Sequence, residues 1–190
     1  MIEWLEHIDQ QLFLFLNGLH SPFFDPIMYY ASKFYISLPL YAYIIITLYR
    51  TKSIKQATLI FTLMILCVAL ADIISVAWFK EVFLRYRPSH NLELQPYIHF
   101  VKHYKGGTYG FVSSHAANTF AFATFAAFIL KNKTITTILF VWAGIVTYSR
   151  IYLGVHYPAD VTCGALVGAF ISIIMYIIYS KLKFKLESKV

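Results

Sequence analysis

Five stretches of the chain are apolar for long enough to cross a bilayer as helices: Ile27–Tyr49, Ile54–Phe79, Gly110–Leu130, Thr134–Tyr152 and Pro158–Ser180. A crossing needs about 20 apolar residues to cover the ~30 Å hydrocarbon core. The pattern differs over Met1–Leu19. There Ile2, Leu5, Ile8, Leu12, Phe15, Leu16 and Leu19 recur at helical spacing, while Glu3, Glu6, Asp9 and Gln10 fall largely elsewhere. That pattern predicts an amphipathic helix lying in the membrane interface, with a short sixth span as the alternative. The acidic start, with no small-residue cleavage site after it, does not read as a signal peptide. The expected fold class is therefore all-α: a polytopic membrane helix bundle of about five transmembrane helices over residues 27–180, plus the N-terminal interfacial helix over 1–20. A single domain over 1–190 is expected, without internal repeats.

Composition agrees with this reading. Hydrophobic residues make up 59% of the chain and charged residues 13%, against about 45–50% and about 25% in soluble domains. The cations also set an orientation. Arg50, Lys52 and Lys55 follow the first stretch, Lys131 and Lys133 the third, and Lys181, Lys183, Lys185 and Lys189 the fifth. Alternating spans put these ends on one side, which the positive-inside rule makes cytoplasmic, C-terminus included. The Glu81–Tyr109 connection and residues 149–160 then face outward, toward the periplasm of a bacterial inner membrane. The net charge of +7 is accounted for by topology and anionic lipid, so no nucleic-acid partner is expected. Cys67 and Cys163 lie inside spans, fit no metal or disulfide spacing, and read as packing residues.

Three polar clusters fall at the outward ends of different spans. The first, KEVFLRYRP, gathers Lys80, Arg85 and Arg87 before Pro88. In the second, GFVSSHAAN, Ser113 or Ser114 caps a helix start and His115 occupies its first turn. A helix start presents unpaired N–H groups and a positive dipole end, which suit phosphate. The third, SRIYLGVHYPAD, places Arg150 at a span end, a turn at Gly154, and His156 just ahead of a helix that opens at Pro158. Asp160 in its first turn can reach back, as a capping residue does, to orient His156. Fixed cations, backbone donors and two histidines, one with a carboxylate partner, are what phosphoryl transfer requires. Asp72, two turns before Lys80 and inside a span, needs an internal hydrogen-bond or ion-pair partner at that depth.

These residues resemble the motifs of the type 2 phosphatidic acid phosphatase family, which shares its core with vanadium haloperoxidases and bacterial acid phosphatases. Lys80, Arg87 and Pro88 fit its K-x6-R-P motif, and Ser149, Arg150, His156 and Asp160 fit S-R-x5-H-x3-D. The middle motif, P-S-G-H, departs: Val112 replaces the proline and Ser114 the glycine, whereas Ser113 and His115 match. The resemblance implies that His156 is the nucleophile of a phosphohistidine intermediate, Asp160 its orienting partner and His115 the general acid and base. Lys80, Arg87, Ser113, Ser114 and Arg150 would bind the phosphate. No metal and no cofactor are implied.

Beyond the motifs, Arg85, Lys102, His103 and Lys105 lie near the same face and are candidate headgroup contacts. The expected partners are a lipid phosphate substrate and the bilayer; one chain says nothing of oligomeric state. Undecaprenyl diphosphate, phosphatidylglycerol phosphate and the phosphates of lipid A rank first as substrates. The competing readings are a lipid phosphotransferase using the same phosphohistidine, a vanadate-holding haloperoxidase, and a non-enzymatic membrane protein that binds anionic lipid.

Overall fold

The computed structural model describes residues 2–187, with side chains from Glu3 to Phe184. Met1, Lys189 and the side chains of Ile2 and Lys185, all invoked above, lie outside the described residues. Helix α1 (Ile2–Gly18) is followed by α2 (Phe24–Ala31) and α3 (Phe34–Thr51). Helix α4 (Ile54–Ile73) runs on through a π-helical stretch, Ile74–Lys80, and a last turn, Glu81–Phe83. A long connection leads to α5 (Ser114–Leu130), α6 (Lys133–Tyr152) and α7 (Pro158–Glu187). The only extended pairing among the described residues is one bridge between Tyr86 and Tyr109, so the protein is all-α.

Three segments are long and apolar enough to cross a membrane: Ile54–Phe83, Lys133–Tyr152 and Pro158–Phe184. The expected first span, Ile27–Tyr49, is instead the pair α2 and α3, bent by 60°, which counts as a fourth span if taken together. The break has a local cause. The Ser32 hydroxyl donates to the Tyr29 carbonyl at 2.8 Å, and Lys33 is extended at φ −90°, ψ 132°. A serine that bonds the nearby backbone competes with the helical ladder. The expected Gly110–Leu130 span also changes. It begins only at Ser114 and has 17 residues, about 25 Å of helix and short of the hydrocarbon core. The five expected spans thus become three long helices, one bent pair and one short apolar helix.

Small residues set the packing. Ala116, Ala117, Ala121, Ala123 and Ala126 are buried on α5, and Gly164 and Gly168 of α7 lie against its backbone. A Cβ on Gly168 would fall on the Ala117 carbonyl oxygen and 2.8 Å from Ala121 N. Lipid tails are as apolar as leucine, so helices in a bilayer associate through such close contacts. The outer surface of the bundle carries exposed Ile65, Leu66, Leu166, Phe170 and Ile173, an apolar face suited to lipid.

Helix α1 turns its apolar stripe outward, exposing Trp4, Leu5, Ile8, Leu12 and Phe15. Asp9 and Asn17 turn toward the protein beside fully buried Phe13, whereas Glu3, Glu6, His7 and Gln11 are exposed. Buried Asn17 donates to the Ile151 and Tyr152 carbonyls at 3.2 and 2.9 Å and accepts from His99 N–H at 2.8 Å. One side chain thereby ties α1 to the end of α6 and to the long connection.

Candidate active site

The ends of four helices meet in one place. The long connection is folded back on itself: Leu84 turns the chain at φ 48°, Arg87 N–H donates to Thr108 O at 3.0 Å, and Gly110 N–H donates to Arg85 O at 2.9 Å. This pairing sets Arg87 beside Gly110. Buried Arg87 then reaches three acceptors: Tyr109 O at 3.0 Å, Val155 O at 3.2 Å and His156 Nε2 at 2.8 Å. Burial and the neighbouring Arg150 charge lower the Arg87 pKa to about 10, so it stays cationic at neutral pH.

His156 is 1% exposed. A guanidinium only donates, so Nε2 facing Arg87 must accept and its proton must sit on Nδ1. Nδ1 faces the Gly110 carbonyl and, at 3.4 Å, Asp160 Oδ2. Burial, and then the charges of Arg87, Arg150 and Lys80, hold the imidazole well below its ordinary pKa, and so neutral. The expected link from Asp160 to His156 is present at long range, shared with Gly110. The shorter contact of Asp160 Oδ2 is the Tyr157 N–H at 2.9 Å, the capping interaction that starts α7. A side chain at Gly110 would press on this cluster. A Cβ would stand 3.0 Å from Arg87 Cγ and 3.1 Å from Asp160 Oδ2.

The start of α5 brings the second motif to the same point. Ser113 caps the helix, its hydroxyl accepting from Ala116 N–H at 3.5 Å. Ser113 is also one of the expected phosphate ligands. Ser113 is fully buried and its N–H already donates to Asp160 O at 2.9 Å. The amides of Ser114 and His115, which have no intrahelical acceptor, are the ones free for an anion. Ser114, standing where the family has glycine, has a use of its own. Its hydroxyl takes Lys80 Nζ at 2.5 Å and pairs with Ser75 Oγ at 2.6 Å. Lys80 closes the π-helical stretch, a distortion common at functional sites. Arg150 is buried; it donates from NH2 to Tyr104 OH at 3.1 Å, and its Nε has no partner among the described residues. His115 lines the same cavity as Ser32, at the break between α2 and α3.

Arg85 has two acidic partners. Expected near a headgroup, it is a fork between two carboxylates: NH2 to Asp9 Oδ2 and NH1 to Asp160 Oδ1, each at 2.8 Å. Its guanidinium also lies 4.2 Å from the Tyr157 ring centre. Asp9 Oδ1 accepts from Ala159 N–H at 2.8 Å, so α1 is pinned to the first turn of α7 beside His156. Asp9 was missed in the sequence because its partner is 76 residues away. Arg85→Met strands the fully buried Asp160 carboxylate, which costs about 3 kcal/mol. Asp9→Asn keeps the Ala159 contact and costs about 1 kcal/mol or less. Melting in detergent is expected to rank wild type, Asp9→Asn, then Arg85→Met, with kcat falling in the same order. Equal melting temperatures for all three would remove this role. Lys102 and Lys105 are exposed on the long connection, Lys102 over the Tyr29 and Tyr30 rings at 4.5 and 4.9 Å and Lys105 over Phe100 at 5.8 Å. Asp72 has the partner its depth demands, accepting from Asn118 Nδ2 at 3.0 Å. Among the described residues, no three His, Cys, Asp or Glu side chains gather as a metal site.

A helical membrane bundle with a neutral histidine among buried cations defines an anion-handling membrane protein. The chain belongs to the PAP2 superfamily, which it matches over residues 59–184. It is 35% identical over 189 residues to a lipid A 4'-phosphatase of Bacteroides thetaiotaomicron, covering 99% of this chain and 84% of that one. A lipid A 4'-phosphatase of Porphyromonas gingivalis is 34% identical over 178 residues, 94% of this chain and 75% of that one. Among solved structures, Aquifex aeolicus LpxE superposes with a TM-score of 0.64 at 25% identity, over 87% of this chain and 93% of that one. The PAP2-type phosphatidylglycerolphosphate phosphatase of Bacillus subtilis shares the fold, with a TM-score of 0.74 at 20% identity over 93% and 87%. The protein is a membrane lipid phosphatase, and the non-enzymatic reading falls away.

Proposed function

We propose that the protein removes a phosphate monoester from a saccharide lipid of the lipid A type, at the outer face of the inner membrane, through a phosphohistidine on His156. The observation that carries this reading is the Nε2 lone pair of a buried neutral imidazole, held 2.8 Å from a guanidinium that a phosphate oxygen can take over. His115 takes up a proton as the phosphate anion arrives to stabilise its charge; His156 Nε2 then attacks phosphorus, the P–O ester bond breaks, and His115 gives the departing oxygen that proton. Water then attacks the phosphohistidine, His115 takes its proton, and the P–N bond breaks. Each half is easier than one direct displacement. Arg87, Lys80 and Arg150 stabilise the charge on the non-bridging oxygens, and the orphan Arg150 Nε–H supports an acceptor arriving with substrate. Ser114 and His115 supply amides, while Asp160 and Gly110 fix the His156 tautomer.

The two lipid A phosphatases, similar along nearly the whole chain, support the substrate class. The cations that follow the first, third and fifth apolar stretches support an outward-facing site and a cytoplasmic C-terminus. Exposed Lys102 and Lys105 lie on that face, where anionic headgroups gather. Purified protein in detergent is expected to release phosphate from lipid A carrying a 4'-phosphate. Orthovanadate, a mimic of the five-coordinate state, inhibits; EDTA changes the rate less than two-fold. Loss of activity in EDTA with recovery in magnesium would refute the metal-free route, and no release from any lipid phosphate would refute the reading itself.

A further inference from the structure

A cavity of about 270 Å³ opens beside His115, between the break in the first span, α4 and α5. Its lining includes Lys33, Asp72, Ser114, His115 and Asn118. Ser114, His115 and Asn118 share one face of α5, at i, i+1 and i+4. A group whose phosphate sits at the helix start therefore extends along this wall, one turn deeper. The volume lies below the roughly 300–1,000 Å³ of pockets that enclose drug-sized ligands; it suits about one sugar ring, not a whole lipid.

The chemistry of the wall is specific. Asn118 Nδ2 donates to Asp72 Oδ1 at 3.0 Å. A carboxylate only accepts, so the amide nitrogen must face Asp72 and the carbonyl must face away. That carbonyl, Asn118 Oδ1, is buried and has no partner among the described residues. Asp72 is exposed on its helix and lines the cavity, with one carboxylate oxygen taken by Asn118. Asn118 Oδ1 and the second Asp72 oxygen are the acceptors left over. Of the nearby cations, Lys80 is bonded to Ser114 Oγ at 2.5 Å, and Lys33 Nζ lies over the Tyr29 and Tyr104 rings at 4.4 and 5.3 Å.

Resting on the function proposed above, we infer that this cavity holds the sugar that leaves with the ester oxygen, its hydroxyl and amide N–H groups donating to Asn118 Oδ1 and Asp72. An anionic leaving group meets like charge at Asp72 and two acceptors it cannot satisfy. The cavity thus selects a saccharide monophosphate over a diphosphate, whose leaving group is itself a phosphate, and over phosphatidylglycerol phosphate, whose leaving group carries a phosphodiester.

The test compares kcat/KM for lipid A 4'-phosphate, undecaprenyl diphosphate and phosphatidylglycerol phosphate in wild type, Asn118→Leu and Asp72→Asn. The wild type is expected to prefer the saccharide at least ten-fold. Asn118→Leu lowers that preference ten-fold or more, and Asp72→Asn lowers it mainly by raising the rates on the two anionic leaving groups. A second arm measures binding of the dephosphorylated saccharide lipid to His156→Ala and to Asn118→Leu in that background. A five-fold or greater weakening supports the cavity even if no phosphate is released, an outcome that would refute only the proposed reaction. Equal loss on all three substrates, or saccharide binding unchanged by Asn118→Leu, overturns the inference.

Discussion

Replacing His156 with alanine is expected to lower kcat by about 10⁴-fold or more, the scale seen when a covalent nucleophile is deleted. Nothing nearby can replace it. The groups closest to Nε2 are cations, and Asp160 is fully buried and held by Arg85 and the Tyr157 amide. Because His156 is itself buried, its removal leaves a cavity and deprives Arg87 of an acceptor. His156→Gln is therefore paired with it: glutamine restores volume and a carbonyl acceptor for Arg87 but no lone pair able to form a stable bond to phosphorus. Both variants are expected to be inactive, with His156→Gln nearer to wild type in melting temperature. Activity within ten-fold of wild type in either would move the nucleophile elsewhere.

The second large effect concerns the fold. Gly168→Ala adds a single methyl group, yet that Cβ would overlap the Ala117 carbonyl of the facing helix. Backbone atoms cannot swing aside as a side chain does, so α5 and α7 must separate. Overpacking of this kind costs about 3 kcal/mol, or about 6–12 °C in melting temperature for a chain of this size. The displacement also reaches the chemistry. Gly164, one turn earlier, packs on the Ser113 backbone, and Ser113 N–H holds Asp160 O. A parallel Gly144→Ala provides the comparison, since a Cβ there meets nothing within 4 Å. It is expected to be neutral or slightly stabilising. Similar melting temperatures for Gly168→Ala and wild type would contradict the close crossing.

Much of this architecture is legible in the residues. The apolar run from Thr134 to Tyr152 becomes a helix from Lys133 to Tyr152, and Pro158 opens the last helix as its missing N–H allows. Lys80, Arg87, Ser114, His115, Arg150, His156 and Asp160, drawn from three polar clusters of the sequence, come together in the fold. What stayed hidden depends on partners distant in sequence or on competition at single atoms. The Ser32 hydroxyl breaks a run whose hydropathy is continuous. Arg85 looks like one more interfacial cation until Asp9 and Asp160 approach from elements 76 and 75 residues away. Ser114 looks like a defect in a motif, and becomes the anchor of Lys80 only once α4 and α5 are side by side. Hydropathy alone also cannot tell a straight crossing from the bent pair of α2 and α3 or from the short α5.

The central claim is that phosphorus passes through a bond to His156 Nε2. The most direct measurement is rapid acid-free quenching of the protein with ³²P-labelled lipid phosphate, followed by peptide mapping. The account predicts label on the peptide containing His156, stable in base and lost in acid as a phosphoramidate is, and absent from His156→Gln. Turnover without any labelled peptide, or label on a different residue, would contradict it.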